Sequence, residues 1–236
     1  MRSTGIDLSF DKAPKRPYFP ELSLPKHLPI LSIDEAGRGT LAGPVAIGMV
    51  SFDIETIEKI QSGEVLKGIR DSKLLSLEKR RFFAEEVKKL AKVWRVVFVS
   101  HKFIDRYNIN QAIFYGINRS IPKNLIPHPF LFVDGNYKIK ISKPIEGYFS
   151  LPKGDDLMPS ISAASVLAKT YRDDWMEKME TVFPGYGFAK HKGYGTEFHR
   201  NQVKKLGISR IHRLSFLKFL REEVVKEELF PNDPLA

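Results

Sequence analysis

The sequence predicts an α/β fold: a mixed sheet flanked by helices and followed by a helical carboxy-terminal region. Three observations carry that prediction. Apolar runs of strand length recur at 30–33, 45–52, 93–100 and 130–133. Longer stretches with helical spacing lie between and after them. The first two runs are joined only by the glycine-containing segment 37–44, so they should pair antiparallel. Strands that alternate with helices after such a pair build a sheet with helices on its faces.

Each element has its own local reason. Residues 1–29 contain Pro14, Pro17, Pro20, Pro25 and Pro29 and little periodicity, which predicts an irregular or partly disordered arm. The folded body then spans 30–236. Ser76 is placed to cap a helix over 77–92, with Glu78 in its first turn and Phe83, Val87 and Leu90 on one buried face. A strand at 93–100 precedes a helix at 110–120. The apolar strand 130–133 stops at Asp134-Gly135, and 145–150 makes a further strand. A long helix over 160–179 opens with Ser162-Ala163-Ala164-Ser165, whose small side chains let its backbone come close to a sheet or a bound strand. Helices over 196–206 and 216–228 complete a basic carboxy-terminal third.

Composition narrows the function classes. A 42% hydrophobic content in 236 residues suffices for one large or two modest domains, and no internal repeat is present. There is no cysteine, which excludes disulfides, thiolate metal sites and a cysteine nucleophile and fits a cytoplasmic setting. The amino terminus lacks the apolar core of a secretory signal, and the longest apolar runs are far too short to span a bilayer. Lysine and arginine outnumber aspartate and glutamate 38 to 28, a net charge of +10 that favours a polyanionic partner.

Acidic residues stand at strand ends: Asp34 and Glu35 after 30–33, and Asp134 after 130–133. Carboxylates there can converge beyond the sheet edge, where α/β folds place ligands, and three or four of them make a hard oxygen site for Mg²⁺ or Mn²⁺. Strand-end acids alone are more often solvated or capping groups. Neighbours on a straight strand also face opposite ways, so Asp34 and Glu35 share one site only if the chain bends, a freedom that Gly37-Arg38-Gly39 offers. His191, His199 and His212 are irregularly spaced and are read as local hydrogen-bonding groups or phosphate contacts rather than zinc ligands.

The segment Asp34-Glu35-Ala36-Gly37-Arg38-Gly39, followed by Gly43-Pro44-Val45, resembles the opening signature of ribonuclease HII. Further blocks resemble the same family in the same order. They are Asp71-Ser72-Lys73-Leu74-Leu75-Ser76, Val133-Asp134-Gly135 and Lys153-Gly154-Asp155, then Ser162 to Lys169 with Arg172-Asp173. His191-Lys192-Gly193-Tyr194-Gly195-Thr196, His199, and Ile211-His212-Arg213-Leu214-Ser215-Phe216 close the series. The blocks cover about 30–220. Leu206-Gly207-Ile208-Ser209-Arg210 departs from the family's commoner glycine-proline run.

The resemblance implies a ribonuclease H-like fold and a site with two divalent ions, Mg²⁺ or Mn²⁺, held by Asp34, Glu35, Asp134 and Asp155. Asp155 is taken over Asp156 because it directly follows Lys153-Gly154. The implied reaction cuts the RNA strand of RNA–DNA hybrids, and cuts 5′ of single ribonucleotides in duplex DNA, leaving 5′-phosphate and 3′-hydroxyl ends. Gly37, Arg38 and Gly39 would then read the ribose 2′-hydroxyl, the group that separates RNA from DNA. Tyr194 would pack on the adjoining nucleotide, and Lys73 and Lys169 would hold phosphates. Ribonuclease HIII usually has lysine where Arg38 stands, so arginine favours HII. The implied protein is a cytoplasmic monomer active in replication and ribonucleotide repair. A non-catalytic hybrid-binding protein is the competing reading, and it requires a missing carboxylate; none of the four is missing. An exonuclease of the same broad fold would lack the Gly-Arg-Gly and Lys-Gly-Tyr-Gly pair.

Overall fold

A computed structural model of the protein describes residues 19–69 and 75–219. Five strands form one sheet: β1 (Ile30–Ala36), β2 (Val45–Ser51), β3 (Val93–Val99), β4 (Phe130–Asp134) and β5 (Gly147–Leu151). Their order is β3-β2-β1-β4-β5. β1 and β2 pair antiparallel, as their close spacing predicts; β2 and β3 also pair antiparallel, while β1–β4 and β4–β5 are parallel. β1 and β4 therefore end at the same edge, with Ile33 opposite Val133.

Helices cover both faces. On one, α4 (Ile109–Ser120) brings Ile113 and Ile117 against Leu31, Ile33, Ile47, Leu131 and Val133. On the other, α6 (Pro159–Val182) lays Ala163, Ala164 and Leu167 beside Val50, with α2 (Leu77–Leu90) adding Phe83 and Val87. Ser76 caps α2 by accepting from the Lys79 N–H, the cap expected of it. The small residues opening α6 serve a close approach. A Cβ on Gly48 of β2 would stand 2.1 Å from the Ala164 carbonyl oxygen, so only glycine fits there.

Four helices are additions to the sequence reading: α1 (Ile54–Ser62), α3 (His101–Tyr107), α5 (Gly154–Leu157) and α7 (Phe188–His191). Thr196 caps α8 (Glu197–Leu206). The helix expected over 216–228 falls almost wholly outside the described residues; a 3₁₀ turn, Leu214–Phe216, precedes it. The proline-rich segment expected to form an arm through residue 29 packs on the body from residue 19 onward, with Leu24 buried against Phe130 and Phe132. Residues 1–18 lie outside the described residues. No described helix is long and apolar enough to cross a membrane.

Candidate active site

The carboxyl edge of β1 and β4 is where the acidic residues gather. Side chains alternate along a strand, so register decides which face each one leaves. Asp34 lies opposite Gly48 and shares the α6 face, and Asp134, one residue past the Ile33–Val133 pair, leaves the same face on the neighbouring strand. Asp155 joins them from the first turn of α5, where the Gly154 N–H donates to Asp134 Oδ1 at 2.5 Å. Asp34 in turn is hydrogen-bonded by Ser165 of α6. Glu35 differs. β1 runs in register through Ala36, so the bend expected to bring Glu35 round comes only at Gly37, whose φ is +89°. Its carboxylate leaves the α4 face and accepts a 2.8 Å hydrogen bond from the Tyr137 hydroxyl, which itself accepts from Arg38.

These acids perturb one another. Burial first, then the Asp134 charge and the Glu35 charge, hold the Asp34 carboxyl well above the usual range. Glu35 is pushed up to about 7, mainly by burial, against the pull of the Tyr137 hydrogen bond. Both feel the charge of Asp155. Among the described residues no three acidic or histidine side chains already form a cation cage. The donor set nevertheless suits a hard dication: the acidic groups gathered there are carboxylates, and burial and neighbouring negative charge disfavour ionisation of Asp34 and Glu35, a cost that a cation offsets.

A cleft of about 230 Å³ opens in front of them, lined by Asp34, Glu35, Gly37, Arg38, Gly39, Asp134, Lys169 and Tyr194, with Ala36 and Ser165. Eight of the ten residues nominated from the sequence thus share one surface. Asp155 is buried behind it, and Lys73 lies outside the described residues. Tyr194 is 43% exposed, and its backbone bridges to Thr40, which joins the Gly-Arg-Gly turn to the tyrosine loop. Lys169 stands 5.4 Å from the Tyr194 ring and is ion-paired with Asp173 at 2.9 Å, so that carboxylate competes with any phosphate.

The two glycines of the turn are there for different reasons. A Cβ on Gly37 would strike Arg172 at 1.9 Å, in a backbone conformation that favours glycine anyway. A Cβ on Gly39 would meet nothing within 4 Å. The fold does not require glycine at 39. The open space it leaves belongs to the cleft.

The sequence reading missed Tyr137, which ties Arg38 to Glu35, and gave no role to Arg172 or Arg213. Both arginines are fully buried, and their guanidinium groups bond to the oxygens of residues 37–44. For Arg213 the available signal was an arginine in a short run with Ile211 and Leu214. The histidines bond locally: His199 Nδ1 meets the Tyr194 carbonyl at 2.9 Å, and its Nε2 meets His212 Nε2 at 3.0 Å.

Comparison with known proteins agrees with this architecture. The sequence pattern of the family described as Ribonuclease HII matches residues 31–219. A Ribonuclease HII of Caulobacter vibrioides is 40% identical over 188 residues, covering 80% of this chain and 84% of its own. Among solved structures, ribonuclease H2 from Pyrococcus horikoshii OT3 superposes with a TM-score of 0.68 at 22% identity, over 84% of this chain and 100% of that one. Bst-RNase HIII, solved in complex with Mn²⁺, gives 0.66 at 17% identity over 88% and 73%. A family match over most of the chain, on a fold shared with these structures, makes this chain a member of the ribonuclease HII family, an endonuclease that hydrolyses the RNA strand of RNA–DNA hybrids.

Proposed function

We propose that the cleft recognises a ribonucleotide paired with DNA and hydrolyses the phosphodiester on its 5′ side, in continuous hybrids and at single ribonucleotides within duplex DNA. The observation that carries this reading is the meeting of the acidic edge, the Gly-Arg-Gly turn and Tyr194 on one surface. Asp34, Glu35, Asp134 and Asp155 would hold two divalent ions, Mg²⁺ or Mn²⁺. The chemistry such ions supply is activation of water and neutralisation of charge on the attacking and leaving oxygens of an in-line displacement. The products are then a 5′-phosphate and a 3′-hydroxyl.

The chain's own groups supply orientation. Ser165 and the Gly154 amide fix the carboxylates of Asp34 and Asp134. Tyr137 fixes Glu35 from the other face. The Gly-Arg-Gly turn offers backbone groups to the ribose, and the missing side chain at Gly39 lets the sugar come close. The exposed face of Tyr194 packs on the neighbouring nucleotide. Lys169 is a phosphate contact once it exchanges Asp173 for substrate, and Lys73 is assigned the same role from family resemblance.

The test is a labelled DNA duplex with one ribonucleotide, incubated with Mg²⁺, with Mn²⁺ and with chelator. A metal-dependent cut 5′ of the ribonucleotide, absent in Asp34→Asn, is the expected result. Tyr194→Ala should lose about 5- to 150-fold in kcat/KM, the range of one base–aromatic stack. An intact duplex under every metal condition, with binding retained, would leave a hybrid-binding protein instead.

A further inference from the structure

We infer that Arg213 is a positioning residue for ribose recognition: its buried guanidinium sets the orientation of the two peptide groups that face the sugar. The inference rests on the proposed role of the Gly-Arg-Gly turn. Arg213 Nη2 donates to the Gly37 carbonyl at 2.7 Å, Nη1 to the Arg38 carbonyl at 2.9 Å and Nε to the Gly43 carbonyl at 3.0 Å. In a trans peptide the C=O and the following N–H point in opposite directions. With two successive carbonyls drawn to Arg213, the N–H groups of Arg38 and Gly39 are turned away from it. Gly37, Arg38 and Gly39 line the cleft and Arg213 does not, so away from Arg213 is toward the cleft. Neither N–H has a hydrogen-bond partner among the described residues. Successive free amides of this kind make a pocket for an electron-rich oxygen.

The guanidinium is itself held. It is fully buried and forms no ion pair among the described residues, so carbonyl dipoles, the Phe216 ring 5.2 Å away and the more distant Asp105 charge offset its own. Its backbone N–H donates to Leu41 at 2.8 Å, while the Leu214 N–H and both donors of Ser215 converge on Asp105 at 3.0, 2.9 and 2.6 Å. The Gly43 N–H donates to the Ile211 carbonyl, and His212 pairs with His199. The segment 211–215 is thus clamped to the body on both sides of Arg213. Arg172 anchors the far half of the loop through Thr40, Ala42 and Pro44. It donates to neither the Gly37 nor the Arg38 carbonyl. Thr40, which it holds, also donates to the Gly37 carbonyl at 3.1 Å, but Arg213 is the group that bonds both sugar-facing peptides.

The experiment compares binding in chelator, with duplex integrity checked on a denaturing gel. Two duplexes are used, one with a single ribonucleotide and one with a 2′-deoxynucleotide at the same place. Wild type should bind the first more tightly. In Arg213→Lys, which keeps the charge but not the three-way fork, that preference should shrink by about tenfold or more while affinity for the all-DNA duplex stays near wild type. Arg213→Gln should do the same, and thermal unfolding of both variants is followed in parallel. A folded variant with the wild-type preference intact overturns the inference, as does a uniform loss on both duplexes. Two variants that fail to fold assign Arg213 to stability alone and overturn it too. If wild type itself shows no preference, the fault lies in the reading of the Gly-Arg-Gly turn and not in Arg213.

Discussion

At the scale of single residues, the two glycines flanking Arg38 separate fold from function. Gly37→Ala forces a side chain into Arg172 at a positive φ, and the backbone term alone costs about 1–2 kcal/mol. For a domain of this size that lowers the melting temperature by roughly 2–4 °C per kcal/mol, before any clash is added. Gly39→Ala should leave thermal unfolding unchanged and raise KM for a ribonucleotide-containing duplex, because its methyl group enters only the cleft. Steady-state kinetics beside calorimetry checks both. A destabilised Gly39→Ala with normal KM would show that this glycine serves the fold. The four carboxylates and Tyr194 were nameable because strand ends and motif order advertise them. Tyr137 was not. Its hold on Glu35 spans 102 positions and depends on which face of β1 the glutamate leaves, which no local pattern reveals.

At the scale of elements, the closest fit is β2 against α6. Gly48→Ala would place a methyl group where the Ala164 carbonyl stands, and overpacking of this kind costs about 1–3 kcal/mol. Chemical denaturation should show that loss, and an unchanged midpoint would mean that α6 can retreat without cost. Since α6 also carries Ser165 to Asp34, a shifted helix should lower activity per folded molecule as well. The strands and the long helices were legible, since apolar runs and helical spacing extend over many residues. The missed helices fail that criterion in different ways. α3 has seven residues and α5 and α7 four each, too short for a period to show. α1 was readable: Asp53 caps it by accepting from the Thr56 N–H, Ile57 and Ile60 share its buried face, and Gly63 ends it in a left-handed conformation, all of them signals present in the sequence.

At the scale of the whole molecule, one pH-sensitive feature lies away from the acidic edge. His199 and His212 are bonded to each other in the carboxy-terminal part, and burial lowers each to about 4 from the ordinary 6.5. A histidine kept neutral by the fold contributes stability that is present above its free value and lost as pH falls through 6.5 toward 4. Between about pH 7 and about pH 5 the melting temperature of wild type should therefore fall further than that of His212→Gln, which has one such group fewer. Parallel curves would mean that the pair does not titrate with unfolding. The clasp on the Gly-Arg-Gly turn reaches across 176 positions, from Gly37 to Arg213. On the ribosome, all four acids emerge well before residue 213 does. On the proposed roles, the groups that would cut are therefore made before the residue that would orient the target-choosing amides. On that reading selectivity is a later addition to the chain than the acids it would govern.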